Sequence, residues 1–214
     1  MRLTSSKNRR TLIAIFIVLA IIAETGAYLM TTSRPQEQFF QVYVLGKNGL
    51  AADYYPQNDT DIHVATHVPW FVGVTNSMGK MEFVEMRIKL GNQSTAAPSD
   101  TSATPSSAPE LTAFDRFLSD NETWEFAFVW SIMNATKNSG STRILEVQVN
   151  NETYFPSDWS ASNGYNFRVI LELWVWQTDM NAFEFGWSSN GEQRTAWLQL
   201  WFNMTTPGPP PVSP

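Results

Sequence analysis

The chain has 214 residues, a formal net charge of −6, a pI near 4.9 and a mean hydropathy of −0.22. That length allows one domain with a sizeable core, and the acidic balance repels phosphate backbones, which excludes nucleic acid as a natural partner. There is no cysteine, so disulfides, thiol nucleophiles and thiolate metal sites are excluded together.

Arg2, Lys7, Arg9 and Arg10 precede an uncharged run from Thr11 to Ala23, and no acidic residue occurs before Glu24. A basic segment followed by an apolar core holds the N-terminus on the cytoplasmic side and directs the rest outwards. Apolar character resumes beyond Glu24 in Ala27, Tyr28, Leu29 and Met30. Residues 1–10 therefore read as a cytoplasmic basic tail and 11–30 as a signal-anchor transmembrane helix, about 30 Å long, which matches a hydrocarbon core. The alternative is a cleaved signal peptide, with Thr25-Gly26-Ala27 as its small-residue cleavage site. A membrane position costs Glu24 on the order of 3 kcal/mol at the centre and less near the edge, so Glu24 is expected to reach headgroups or a partner helix. Tyr28 suits the interfacial aromatic belt. Four of the fourteen basic residues and one of the twenty acidic ones lie in the first thirty positions, leaving ten against nineteen in the exported part.

From residue 36 to 204 the chain reads as strands separated by turns. Phe39–Leu45 is rich in β-formers and ends at the turn Gly46-Lys47-Asn48-Gly49. Residues 63–74 and 81–90 are read as strands joined at Asn76-Ser77-Met78-Gly79. Residues 94–109, STAAPSDTSATPSSAP, hold almost nothing that packs, which predicts a flexible or stalk-like insert open to O-glycosylation. Strands are read again at 123–132, 143–149, 167–177 and 195–204, and the Pro-rich 205–214 as an extended, exposed tail. Seven or more strands at this spacing predict an all-β, antiparallel immunoglobulin-like β-sandwich.

Alternation assigns faces in the last two long strands. Val169, Leu171, Leu173 and Val175, with Ala196, Leu198, Leu200 and Phe202, form the core set. Trp174, Trp176, Trp197 and Trp201 fall on the opposite face among charged and amide side chains. Four such rings form an interaction patch for a protein partner, a second copy or a carbohydrate, unless the insert or the tail covers them. Asp61, His63 and His67 share a face if their segment is a strand, as zinc or copper ligands would. Residues four apart on a strand stand roughly 13 Å apart, too far for both imidazoles to reach one ion, so no metal or other cofactor is expected. G-x-S-x-G, Walker-type and H-E-x-x-H patterns are missing, and Glu82/Glu85 and Asp120/Glu122 read as solvated pairs, so no catalytic residues are assigned. Asn58, Asn92, Asn121, Asn134, Asn151 and Asn203 open Asn-x-Ser/Thr sequons, all in the exported part, and are expected to be glycosylated.

The segments FFQVYVLGKNGLAADYYP, HVPWFVGVTN, LSDNETWEFAFVW and YNFRVILELWVW resemble, in this order, the exported domain of an archaeal membrane-protein family known as domain of unknown function 1616. The tyrosine-leucine-glycine motif falls at Tyr43 to Gly46, and the Leu-Trp strand at Tyr165 to Trp176. The resemblance implies an archaeal surface location and no catalytic residues. These observations lead to a membrane-anchored, non-catalytic cell-surface glycoprotein with a structural or protein-interaction role. The alternatives are an exported carbohydrate- or ligand-binding protein using the Trp face, and an accessory subunit of a membrane enzyme complex.

Overall fold

The computed structural model describes residues 6–31, 37–156, 159–189 and 191–207. The expected cytoplasmic tail lies partly outside them, and so do positions 208–214 of the expected Pro-rich tail. Two units are distinguished, one from Met1 to Glu37 and one from Gln38 onwards.

The first unit holds one helix, α1 (Ser6–Thr31). A long apolar run, interrupted at Glu24 and Thr25, with no Pro and a single Gly favours this helix. Its apolar side chains point in every direction: Leu12, Ile13, Phe16, Leu19 and Ile22 are each 52% to 75% exposed. Thr25 ties its hydroxyl to the carbonyl of Ile21 at 2.7 Å, and Glu24 and Tyr28 are exposed. Among the described residues no helix is long and apolar enough to cross a membrane. The described side chains of α1 run from Leu12 to Tyr28, short of the about 20 apolar residues that a span requires.

The second unit is built from antiparallel strands. These are β1 (Phe39–Leu45), β2 (Val68–Ser77), β3 (Glu82–Asn92), β4 (Glu110–Leu118), β5 (Thr123–Asn138), β6 (Ser141–Val149), β7 (Glu152–Tyr154), β8 (Trp159–Ser162), β9 (Phe167–Gln177), β10 (Ala182–Phe185), β11 (Trp187–Ser189), β12 (Glu192–Arg194) and β13 (Trp197–Phe202). One sheet has the order β1-β2-β5-β6-β7, with β8 also on β6. The other has the order β10-β9-β3-β4, with β13 also on β9. Their apolar faces enclose a single core and make an all-β sandwich. Phe114 meets Phe126 at 4.9 Å and Trp130 meets Phe202 at 5.1 Å across the two layers. In an immunoglobulin sandwich the strands lie ABED against CFG. Here β1, β2 and β5 take the A, B and E places and β3, β9 and β10 those of C, F and G. The D place beside β5 is held by β6, which follows β5 in the chain instead of preceding it.

Two local features set the edges. Tyr43 lies directly across from Gly73, and a Cβ on that glycine would stand 2.0 Å from the Tyr43 ring, so the ring lies over bare backbone. The strand beside β9 is broken at Gly186 (φ +88), whose left-handed backbone suits glycine. There the chain leaves as the β11–β12 hairpin and returns as β13. The excursion puts Trp187 5.0 Å from Phe40 of the other sheet and closes one side of the sandwich.

Three expectations are corrected. Residues 63–67 are not strand: Thr66 N–H bonds the His63 carbonyl at 3.1 Å and Ala65 has φ +63, so the strand starts at Val68. The insert at 94–109 is not a free stalk, because Pro98, Ser106 and Ala108 are buried against the second sheet. Residues 110–118, read as no element, form edge strand β4.

Candidate functional site

The outer face of the second sheet is where the unusual chemistry collects. Its register lines up outward side chains in rows across β4, β3, β9 and the β10/β13 edge. The first row is Phe117, Phe83, Trp176 and Phe183. Next come Asp115, Glu85, Trp174 and Phe185, then Ala113, Arg87, Glu172 and Trp197. Glu110, Lys89, Ile170 and Gln199 follow, and the last row holds Gly91, Arg168 and Trp201.

The insert covers the middle rows. Glu172 has no exposed surface, yet it accepts three contacts. The Ser106 backbone N–H reaches one carboxylate oxygen at 2.6 Å, and Lys89 Nζ and Trp174 Nε1 reach the other at 2.9 and 3.1 Å. Lys89 also donates to the Ser106 carbonyl at 2.8 Å. A buried ion pair is tolerated when its remaining donors and acceptors are satisfied, and here the insert supplies the partners. Asp100 of the insert accepts from Thr195 Oγ1 at 2.5 Å and from Trp197 Nε1 at 2.6 Å. Arg87 lies 3.7 Å over the Trp174 ring and 2.5 Å from Glu85. This is why β9 is buried on both faces from Phe167 to Leu173.

The upper row stays open. Phe117 is 62% exposed and stacks on Phe83 at 4.2 Å, and Phe183 stands 5.0 Å from Phe83 and 5.2 Å from Trp176. Met81, also 62% exposed, precedes β3 at the same end.

The four tryptophans read from sequence do share this outer face, as expected, with different surroundings. Trp174 and Trp197 are hydrogen-bonded into the covered part, Trp176 belongs to the open row, and Trp201 at the far end is 38% exposed. Alternation in β9 and β13 was enough to place them. Phe83, Phe117 and Phe183 escaped because their strands mix aromatics with charge.

Asp61, His63 and His67 do not converge, and no group of three metal-ligating side chains occurs among the described residues. The Asp61 carboxylate accepts from Thr205 N at 2.9 Å and from Thr205 Oγ1, while His67 is exposed and lies beside Gln148 and Asn150. The sequons divide. Asn58, Asn121, Asn134 and Asn151 are exposed. Asn92 donates to the Ser160 carbonyl at 2.6 Å while its Oδ1 accepts from Ser94 and Thr95, and Asn203 Oδ1 accepts from Asn166 N at 3.0 Å.

No protein-family model and no curated protein matches the chain, so the resemblance to domain of unknown function 1616 rests on the quoted motifs alone. Among solved structures, the CARDB domain of the PF1109 protein from Pyrococcus furiosus, in complex with di-metal ions, is similar with a TM-score of 0.38 and 9% identity, over 81% of this chain and 94% of that one. Beta-glucosidase D2-BGL from Chaetomella raphigera is similar with a TM-score of 0.32 and 15% identity, over 78% of this chain and 18% of that chain. Beta-glucosidase from Listeria innocua, in complex with gluconolactone, follows with 0.28 and 9%, over 77% and 16%. None of the three bears on the chemistry of this site.

Proposed function

We propose that this chain is a membrane-anchored, non-catalytic cell-surface module that binds a protein partner through the open aromatic row of its second sheet. The observation that carries the reading is the contrast within one face. The insert covers the middle rows, whereas Phe117, Phe83, Trp176 and Phe183 lie together at an end it does not reach. Phe117 is exposed and the three rings beside it are half-buried. A contiguous aromatic row that reaches solvent in this way suits a contact surface, where aromatic residues dominate binding energy.

Two further observations support it. Three carboxylates of this face and its cover are engaged, Glu172 with Lys89, Glu85 with Arg87 and Asp100 with Thr195 and Trp197, which suits a binding surface better than acid-base chemistry. From Leu12 to Ala23 α1 carries no charged side chain and its large apolar ones are exposed, and such a helix belongs in a hydrophobic medium. It is the natural anchor.

The test is purification of the full chain from source membranes in mild detergent, as wild type and as Phe117→Glu. A stoichiometric companion that is retained by wild type and falls roughly tenfold in the variant is the expected result, given the energies of central aromatic contacts. A wild-type chain that runs alone, or a companion indifferent to the substitution, sinks the reading.

A further inference from the structure

At the opposite end of the same sheet, where β3 ends and β8, the β8–β9 turn and β13 meet, two adjoining hollows of about 570 and 550 Å³ open to solvent. Gln93 and Asn166 line both, and their side chains are joined by a hydrogen bond of 3.0 Å. The first hollow is lined by hydroxyls and amides, among them Ser94, Ser160 and Asn163, with Tyr165 53% exposed beside them. The second is flanked by Trp201 and holds Arg168 in its wall.

Arg168 is the anomaly. It is 4% exposed, and its guanidinium lies 4.8 Å from the Trp201 ring. Its terminal nitrogens donate to Gln199 Oε1 at 2.6 Å and to the Thr95 carbonyl, both neutral acceptors. Its Nε has no partner among the described residues, and no carboxylate there pairs with it. Lys89, one row away, has Glu172 for its counter-charge, so among the described residues one buried cation has an anion and the other has none. A guanidinium cannot shed its proton at ordinary pH, and a buried charge without a counter-charge is costly. Burial does press the Arg168 pKa below its ordinary value.

We infer that this groove binds an acidic saccharide, a uronate or sulfated sugar whose anionic group pairs with Arg168. The remaining lining fits that class. Aromatic faces at Tyr165 and Trp201 suit the apolar faces of sugar rings, and the amides and hydroxyls of Gln93, Asn166, Asn163 and Ser94 match ring hydroxyls in both donor and acceptor roles. Among the described residues no acidic side chain lines either hollow. The inference is independent of the aromatic row, which lies at the other end of the sheet.

Calorimetric titration of the full-length chain in detergent tests it, using trigalacturonate, a chondroitin sulfate tetrasaccharide, neutral cellotriose and inorganic sulfate as probes. Binding of at least one acidic oligosaccharide is expected, with cellotriose at least about tenfold weaker, the value of one charge-assisted hydrogen bond. Arg168→Met removes the preference for the acidic probe. Tyr165→Ala, at an exposed position where folding is not at stake, weakens binding of the same probe. Equal affinity for cellotriose overturns the inference, as does sulfate binding as tightly as the saccharides. Failure of all four probes to bind overturns it too.

Discussion

Asn76 shows how much of this fold hangs on single side chains. It has no exposed surface, and its amide nitrogen donates to the carbonyls of Lys80, Leu118 and Ser119 at 2.8, 2.9 and 3.2 Å. Its Oδ1 accepts from Met78 N at 2.9 Å, so one residue joins the β2–β3 turn to the β4–β5 turn. Asn76→Ala leaves the buried Leu118 carbonyl and the part-buried carbonyls of Lys80 and Ser119 short of a donor and should cost about 2 kcal/mol, read as a lower urea midpoint with an unchanged slope. Sequence placed Asn76 in a turn and showed nothing of this, since its partners come from distant positions. Glu122 stands in the same junction, accepting from Ser119 N at 2.9 Å and Arg116 at 3.1 Å. The backbone bond, aided by Arg116, holds its carboxyl below the usual range. A lowered pKa contributes stability above the ordinary carboxylate value, about 4, and loses it as pH falls further. Thermal melts at pH 7 and pH 3 should therefore show a smaller acid-induced loss for Glu122→Gln than for wild type. An identical loss in both would rule Glu122 out as a contributor.

Among the elements, β9 and the insert explain each other. The alternation in Val169 to Val175 was readable because both its faces are ordered, one by the core and one by a polar and aromatic lattice. The cover over that lattice was not readable: residues 94–109 are mostly Ser, Thr, Ala and Pro, and they pack through backbone groups, which composition does not reveal. The strand β4 was hidden for a related reason. Phe117 and Ala113 face outwards while Arg116 lies on the inward side of an edge strand, so the usual apolar-in pattern is blurred. The turn at Ala65 was hidden because a left-handed alanine has no signature in sequence. A test of the cover follows from the buried pair. Lys89→Met strands Glu172 without its counter-charge and should cost about 3–5 kcal/mol. The double variant Lys89→Met/Glu172→Gln keeps an acceptor for the Ser106 N–H without the buried charge, and should recover a large share of that loss. Urea unfolding of the wild type, both singles and the double completes the cycle, and simple additivity would show that the two charges do not act together.

At the scale of the whole molecule, the sequons and the binding face divide the surface between them. Asn58 lies between β1 and β2, Asn121 in the β4–β5 turn, Asn134 in β5 and Asn151 in the β6–β7 turn, so the exposed sequons collect on the first sheet and its connections. The outer face of the second sheet carries none. The two sequons closest to that face, Asn92 and Asn203, have side chains engaged in holding the saccharide groove together. A glycan on Asn92 Nδ2 would compromise its 2.6 Å bond to the Ser160 carbonyl and bring bulk to a half-buried position. Glycans on these four sites would solubilise one side of an acidic domain and leave the other free for contact. Peptide-resolved mass spectrometry of the protein from its native membranes should thus find glycans on Asn58, Asn121, Asn134 and Asn151, with Asn92 and Asn203 bare. High occupancy at Asn92 would mean that modification precedes folding and that the β3–β8 junction accommodates a sugar, and the division of the surface would fall with it. Occupancy confined to the four exposed sites would make the glycans a map of the face that must stay clear.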